Sequence, residues 1–431
     1  MTLFTWLRTG GLTRRVWLAS FGALLLALAW YSSTHSIDFP VYHRAAVKVL
    51  HGNYDLYPHA FDEGPLQVDP LGQFVYAPVI AFLFAPLGLL PLQSAAFLFA
   101  CLKIPAYLYL FWLVATRMEV RSRAGFLMLA SVLIAGGYLV EEFRGGNVHI
   151  FSVCLIVIAF DRAERKHTAA SASALALAIA LKLAPLMLLP YLVIRRRFAV
   201  CAATLAALGV LWAAPALIVG FERNTQLTDA FVRSASRIAD RPDNVSLRGV
   251  LFRAFTPMPI GDPQNPPNNF ADVSPSIVSM LWIALVTAIV IGVGIAVWPA
   301  PRDEATRLLD LSLLLTTMLV VAPHTQRLHF SALVVPVAVM IALLMQRPDR
   351  RFGALMRSAL IVTAAAGTYL PLLFGGRSAS LAYQSWSPYS LAVFFLLGTL
   401  VMVRLPPSRS ALRGPGKPDT TTTATASAGR R

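Results

Sequence analysis

The chain has few charged residues and few cysteines for its length. Of its 431 residues, 13% are charged and 57% are hydrophobic, and the mean hydropathy is +0.63. A soluble domain needs more polar surface than this to cover its core, so the composition indicates a membrane protein. The three cysteines, Cys101, Cys154 and Cys201, all lie inside apolar runs. That placement argues against a disulfide framework and against a cysteine-based zinc site.

Motifs of soluble nucleotide-binding and hydrolytic sites are also missing. GxGxxG, Walker, HExxH and GxSxG motifs do not occur in the context that would give them a function. A soluble-type nucleotide-sugar or ATP site is therefore not expected, and no cofactor or metal is expected either. The substrate is expected to reach its site from the membrane.

Apolar runs long enough to cross a bilayer are abundant. These runs lack the alternation of barrel strands, so the expected fold is an all-α polytopic membrane protein, since helices satisfy their own backbone hydrogen bonds in lipid. The predicted spans cover residues 16–34, 95–115, 125–141, 148–161, 200–220, 277–299, 307–322, 329–346, 357–374 and 389–404.

The formal net charge of +16 comes largely from short segments between these runs and from the tail. Orientation in the membrane explains this distribution better than nucleic-acid binding does. If every basic cluster is cytoplasmic, both termini lie inside. The chain then divides into a cytoplasmic N-terminus (1–15), an integral-membrane domain (16–404) and a disordered cytoplasmic tail (405–431) rich in Thr, Ala, Pro and Gly.

Two apolar segments do not fit a simple series of spans. Residues 74–94 contain several prolines, and charge parity favours a re-entrant or interfacial helix there. Residues 172–194 have basic clusters on both sides, so the segment must enter the membrane and return, as two half-helices that turn near Lys182 and Pro185. Irregular backbone at membrane depth is tolerated where it is buried or lines a cavity. Both segments therefore point to a site.

Polar residues that this layout gathers at the outer face are candidate site residues. Asp38, directly after the first span, is the candidate catalytic residue. The candidate substrate-binding residues are Tyr42, Tyr76, Arg144, Asn147, Lys182, Asn244, Ser246, Arg248, His324, Arg327 and His329. Three simpler explanations stay open: Asp38 as a helix N-cap, Lys182 as a snorkelling side chain, and Arg144 with its two following glycines as a tight turn.

One carboxylate at a helix mouth with dispersed cations on the same face suits a phosphate-bearing lipid substrate. Arginine and lysine side chains bind phosphate through charge-assisted hydrogen bonds. The carboxylate would accept a proton from an attacking hydroxyl. Apolar grooves between helices would take the lipid tail. The residues therefore predict sugar transfer from a lipid phosphate to an acceptor hydroxyl.

Six segments in this order resemble the membrane glycosyltransferases of glycosyltransferase family 87. They are "DFPVYHRAAVKVLHGNYDLY" (38–57), "FVYAPVIAFLFAPLGLLP" (74–91), "RGGNVHI" (144–150), "LALAIALKLAPLMLLPYLVIRRR" (175–197), "DNVSLRGVLFR" (243–253) and "APHTQRLHF" (322–330). The first and fourth are the most specific.

This resemblance implies a GT-C-like bundle of roughly 11–13 membrane helices, including re-entrant or half helices, with loops on the outer face. It implies a polyprenyl-phosphate sugar donor, with mannose as the sugar, and a glycolipid or glycan acceptor, with inversion at the anomeric carbon. It also implies that Asp38 is the general base. The expected location is a bacterial inner membrane, with membrane lipid as a partner, no nucleic acid, and an extracytoplasmic active site.

Two other functions stay open. A transporter or flippase of a lipid-linked saccharide would show discontinuous helices in corresponding halves. Here both irregular segments fall in the first half, which favours the enzyme. A structural assembly factor without catalysis would not explain an acid, a lysine and arginines gathered on one face.

Overall fold

Helices make up nearly all of the regular structure. The structure, a computed structural model, describes residues 12–58, 60, 73–237, 244–256, 270–346 and 352–405. The described residues contain α- and 3-10 helices and no strand. The predicted terminal segments 1–15 and 405–431 lie almost entirely outside the described residues.

The α-helices are numbered here in chain order. They are α1 Leu12–His35, α2 Phe39–Leu50, α3 Pro78–Gly88, α4 Leu92–Arg117, α5 Ala124–Gly145, α6 His149–Glu164, α7 Thr168–Leu181, α8 Leu188–Ile194, α9 Phe198–Ala213, α10 Ala216–Val219, α11 Phe221–Arg237, α12 Leu247–Phe255, α13 Pro275–Val297, α14 Glu304–Val321, α15 Val334–Gln346, α16 Gly353–Ala366, α17 Leu370–Ser385 and α18 Pro388–Arg404.

Five helical segments of the described residues are long and apolar enough to cross a membrane. They are Leu92–Arg117, Arg121–Gly145, Phe198–Val219, Pro275–Val297 and Arg327–Gln346. The predicted span 16–34 corresponds to α1, which has 24 residues. The predicted span 357–374 is divided between α16 and α17, and the span 389–404 corresponds to the shorter apolar helix α18. The expected all-α multi-pass membrane fold is confirmed.

The helix ends divide the bundle into two ends. At the first, here called the site end, α1 and α5 end and α6 begins. The hydrogen bond from Asp38 N to Gly145 O, 2.7 Å long, shows that these helix ends lie together. At the second, here called the basic end, α4 and α6 end. The ion pair between Arg117 and Asp161, 2.5 Å long, shows that these two ends lie together. The 16 residues of α6 separate the two ends by about 24 Å at 1.5 Å per residue.

The two irregular segments are short helices in the structure. α3 covers eleven residues and carries Pro86 in its interior. α7 stops at Leu181, and Lys182 is extended (φ −154°, ψ 140°) before the 3-10 turn Ala184–Met187 leads into α8. The predicted interruption near Lys182 and Pro185 is therefore present, and it lies at the site end.

Candidate functional site

Two glycines bring α1, α2 and α5 together at the site end. Gly146 ends α5 in the left-handed region (φ 64°), where glycine has no steric penalty. A Cβ on Gly146 would lie 2.7 Å from Ser36 Cβ and 3.0 Å from Phe39 Cβ, and a Cβ on Gly145 would lie 3.0 Å from Leu328 Cδ2. The close approach of these segments holds Asp38 against the α5–α6 junction.

Asp38 occupies the N-cap position of α2, but its carboxylate makes no capping hydrogen bond. Instead, Asn147 Nδ2 donates to Asp38 Oδ2 at 2.8 Å. Asn147 is only 2% exposed, whereas Asp38 is half-buried. The N-cap explanation therefore accounts for the backbone position of Asp38 but not for the contact of its carboxylate with Asn147.

Three tyrosines extend this network away from the carboxylate. Asn147 Nδ2 also donates to the Tyr76 hydroxyl at 3.2 Å, and the Tyr42 hydroxyl donates to Tyr76 at 2.6 Å. Tyr57 donates to the backbone oxygen of Tyr76 at 2.5 Å and fixes that residue in place. Burial raises the pKa of Tyr42 and of Tyr76, so both phenols stay protonated at neutral pH.

A second group of polar side chains converges where α7 is interrupted. Lys182 Nζ is in hydrogen-bond contact with His329 Nε2. The other ring nitrogen, His329 Nδ1, accepts from the backbone N–H of Gln326 at 3.0 Å, so the proton of the neutral ring belongs on Nε2. The His149 ring packs 5.0 Å from the His329 ring. Lys182 is therefore directed at a histidine rather than at the membrane surface.

These residues open into a cavity of about 450 Å³. One part of its wall is polar, with His149, Lys182, His324 and His329, and the rest is largely apolar. The apolar lining includes Ile156, Pro185, Leu315, Met318 and Leu319. Lys182 also lies within electrostatic range of Asp38 and Glu142, so the two polar groups belong to one region of the molecule.

A buried ion pair behind the α5–α6 junction was missed by the sequence reasoning. Lys103 Nζ donates to Glu142 Oε1 at 3.1 Å and to Glu142 O at 2.8 Å, and both side chains are fully buried. Glu142 Oε1 also accepts from the N–H of Ile150. The pair therefore ties α4 to the junction that carries Asn147. A lysine within the apolar run 95–115 was the signal that could have revealed it.

Arg144 and Arg327 form a separate cluster beside the junction. Both contact Glu141 Oε1, Arg144 at 3.4 Å and Arg327 at 3.3 Å. The Arg327 guanidinium also lies over the rings of Tyr369 and Tyr389. Arg144 lies in the last turn of α5 and its side chain is 47% exposed, so the chain leaves the helix only at Gly146. Substrate binding by either arginine stays a prediction.

Asn244 and Ser246 bind the backbone of a neighbouring loop. Asn244 Nδ2 and Ser246 Oγ both donate to Pro323 O, and Asn244 Oδ1 accepts from the N–H of Thr325. Ser246 also caps α12, and the Arg248 guanidinium lies over Phe252. These contacts hold the loop that carries His324, so their observed role is to position it. Direct substrate contact by these three residues stays a prediction.

Metal binding finds no support in the described part of the chain. No group of three or more His, Cys, Asp or Glu side chains there is placed to hold an ion. The three histidines of the cavity accompany a lysine, which repels a cation. The residues fit an anionic ligand better.

Fold and site together define a multi-pass helical membrane protein with a carboxylate, a lysine and histidines at one end of its bundle. The family model for glycosyltransferase family 87 matches residues 74–323, which is more than half of the chain. The protein belongs to this family and is a membrane glycosyltransferase. No curated protein and no solved structure matches the chain.

Family membership decides between the functions left open by the sequence. Glycosyltransferase family 87 consists of transferases, so a transporter or a non-catalytic assembly factor is not supported. The matched range includes Tyr76, Asn147 and Lys182, whereas Asp38 and His329 lie outside it. The roles of those two residues therefore depend on the geometry of this chain.

Proposed function

We propose that the protein transfers a sugar, mannose, from a polyprenyl-phosphate donor to a hydroxyl of a glycolipid or glycan acceptor, with inversion. In this proposal Asp38 is the general base, and Lys182 and His329 bind the donor phosphate. The observation that carries the proposal is a lysine–histidine pair that lines a mostly apolar cavity and lies within electrostatic range of the Asp38 carboxylate.

The position of Asp38 supports its role as base. Its half-buried carboxylate is held by Asn147 at 2.8 Å, directly after the end of α1. In the reaction Asp38 takes the proton of the acceptor hydroxyl. The oxygen forms a new bond to the anomeric carbon while the bond from that carbon to the phosphate oxygen breaks. A single displacement of this kind inverts the anomeric configuration.

The Lys182–His329 contact supports a phosphate site. Because His329 Nδ1 is occupied by the Gln326 N–H, its Nε2 carries the ring proton. When Lys182 is charged, this Nε2–H and the Lys182 ammonium are two donors directed at the same place. An anionic oxygen that accepts from both removes this mismatch. The same two donors would stabilise the charge that gathers on the phosphate as it leaves.

The apolar surroundings of Lys182 support a lipid donor. Leu183 is 47% exposed and Leu186 40% exposed on the outside of the bundle, at the interruption that carries Lys182. Leu315, Met318 and Leu319 continue the apolar surface inside the cavity. A lipid can therefore place its phosphate at Lys182 while its chain stays in contact with apolar side chains.

Mannose, the polyprenyl carrier and the extracytoplasmic side come from the family resemblance and from the charge distribution. The basic end carries Arg117, Arg165 and Arg195 among others, and such clusters favour the cytoplasm. The site end would then face the opposite side of the membrane.

The decisive assay uses purified protein with polyprenyl-phosphate mannose, other polyprenyl-phosphate sugars, and octyl α-mannoside as acceptor. We expect a mannosyl product whose anomeric configuration is opposite to that of the donor. The Asp38→Asn variant should lose about 10²- to 10⁴-fold in transfer rate, the usual contribution of a general base. The Asp55→Asn variant, which changes an exposed acid, is the control. Transfer by Asp38→Asn at the normal rate would refute the base assignment.

A further inference from the structure

The Tyr76 hydroxyl carries an unused hydrogen-bond donor. Its oxygen accepts from Tyr42 at 2.6 Å and from Asn147 Nδ2 at 3.2 Å. A phenol oxygen that accepts twice has only its own proton left to offer. Among the described residues, no acceptor takes that proton.

The direction of the Tyr42–Tyr76 hydrogen bond follows from burial. If Tyr76 donated to Tyr42, the leftover proton would belong to Tyr42, whose side chain is fully buried. A buried donor without a partner is costly. Tyr76 is half-buried, so a proton left without a partner costs less on Tyr76 than on Tyr42. The orientation of the Asn147 amide follows from the charge of its neighbour. Its NH₂ group can donate to the Asp38 carboxylate, whereas its oxygen would be repelled there.

The network therefore has a buried layer and an accessible layer. Tyr42 and Asn147 are buried, whereas Asp38 and Tyr76 in front of them are half-buried. The Asn147 amide binds both accessible groups and fixes their separation. The accessible layer thus offers one acceptor, the carboxylate, and one neutral donor, the phenol, side by side.

We propose that Tyr76 is a specificity-determining residue that donates a hydrogen bond to the acceptor hydroxyl next to the one that Asp38 deprotonates. This inference rests on the proposed function. It makes the acceptor a vicinal diol, with one hydroxyl for each group of the accessible layer. The attacking oxygen is not the partner of Tyr76, because a donor on that oxygen would withdraw the electron pair that forms the new bond.

The test compares acceptors that lack one hydroxyl. Octyl α-mannoside and its monodeoxy analogues are used with polyprenyl-phosphate mannose, and the linkage of the wild-type product identifies the attacked hydroxyl. Wild-type protein should use the analogue that lacks the adjacent hydroxyl about tenfold less well. The transfer rate of Tyr76→Phe to the complete acceptor should be about tenfold below that of wild type. Its rate with the analogue should be no lower than its rate with the complete acceptor. Tyr54→Phe, which removes the hydroxyl of a tyrosine that stacks on Phe82 outside this network, should keep the wild-type discrimination.

The possible outcomes separate this inference from the proposed function. If wild-type protein transfers mannose and Tyr76→Phe discriminates between the two acceptors as well as wild type does, Tyr76 does not read the adjacent hydroxyl and the inference is wrong. The same holds if Tyr54→Phe abolishes the discrimination. If wild-type protein transfers no sugar to any of these acceptors, the proposed function and the inference fail together.

Discussion

Lys182 and His329 show how a single backbone contact can fix the chemistry of a side chain. The N–H of Gln326 occupies one ring nitrogen of His329, so the other nitrogen is left as a donor beside the lysine. When Lys182 is charged, both groups are donors and gain little from their contact. The pair is therefore better understood as one half of an anion site than as a stabilising interaction in its own right.

This geometry leads to a prediction for the donor. Lys182→Ala should raise the KM for the polyprenyl-phosphate donor by roughly 10- to 100-fold, because charge-assisted hydrogen bonds contribute about 1.5–3 kcal/mol. Lys182→Arg keeps the charge and should raise it less. Steady-state kinetics with varied donor measures both effects. Lys48→Ala, which removes a lysine bound to Asp55 O on the site end, is the control. Equal effects of the two Lys182 substitutions would argue against a specific phosphate contact.

The α5–α6 junction is the element that positions the proposed base. It supplies Gly145 O to the backbone of Asp38 and Asn147 to its carboxylate. The Lys103–Glu142 pair anchors the junction from behind. None of these contacts involves neighbours in the sequence, so the position of Asp38 depends on how closely α1, α4 and α5 pack.

Replacing Gly146 should therefore displace the Asp38 carboxylate although Asp38 itself is unchanged. Gly146→Ala adds a Cβ that would lie 2.7 Å from Ser36 Cβ, at a positive φ, which costs about 1–3 kcal/mol. We expect transfer to fall at least about tenfold while the protein still inserts in the membrane, since a small misplacement of reacting groups is costly. Transfer assays and thermal unfolding of the purified protein measure the two effects.

The control for this substitution lies in the same helix. A Cβ at Gly136 of α5 would meet nothing within 4 Å, so Gly136→Ala should leave transfer unchanged and stabilise the helix by about 0.5–1 kcal/mol. Equal loss of transfer in both variants would mean that α5 itself, rather than the close approach at its end, controls the base.

The elements differ in how far the sequence predicts them. The interruption at Lys182 follows from basic clusters on both sides of 172–194 and from its prolines, and the structure contains it. α2 was not predicted, because its twelve residues are too short and too polar to stand out among long apolar runs. The Lys103–Glu142 pair was also missed, since its partners are 39 residues apart and only tertiary packing brings them together. Pairings at that distance have no local signature.

On the scale of the whole molecule, the two ends of the bundle use charge differently. The site end offers donors that suit an external anion, whereas the basic end pairs its charges internally. Asp310 is fully buried and binds Arg195 at 2.6 Å and Arg404 at 2.5 Å. Both arginines also donate to the backbone at the C-terminal end of α13. Arg195 donates to Val297 O and Arg404 to Pro299 O. This cluster joins α8, α14 and α18 and is expected to contribute to stability.

Asp310→Ala should therefore destabilise the fold and leave the site intact. Removing one partner of a buried ion pair costs about 3–5 kcal/mol, so thermal unfolding in detergent should shift to clearly lower temperature while the donor KM of the folded fraction stays unchanged. Asp229→Ala breaks an exposed pair with Arg233 and should cost less than about 1 kcal/mol. Similar shifts for the two variants would contradict a structural role for the Asp310 cluster.

The orientation of the whole bundle determines which lipid leaflet supplies the donor. With the three native cysteines replaced, single cysteines at Asn53 on the site end and at Ser122 on the basic end, both exposed, report which end faces outward. A membrane-impermeant maleimide added to intact spheroplasts should label Asn53→Cys and should label Ser122→Cys only after the membrane is opened. The reverse pattern would place Asp38 and Lys182 in the cytoplasm. The donor would then come from the inner leaflet, and the arginines of the basic end would violate the charge rule that governs short loops.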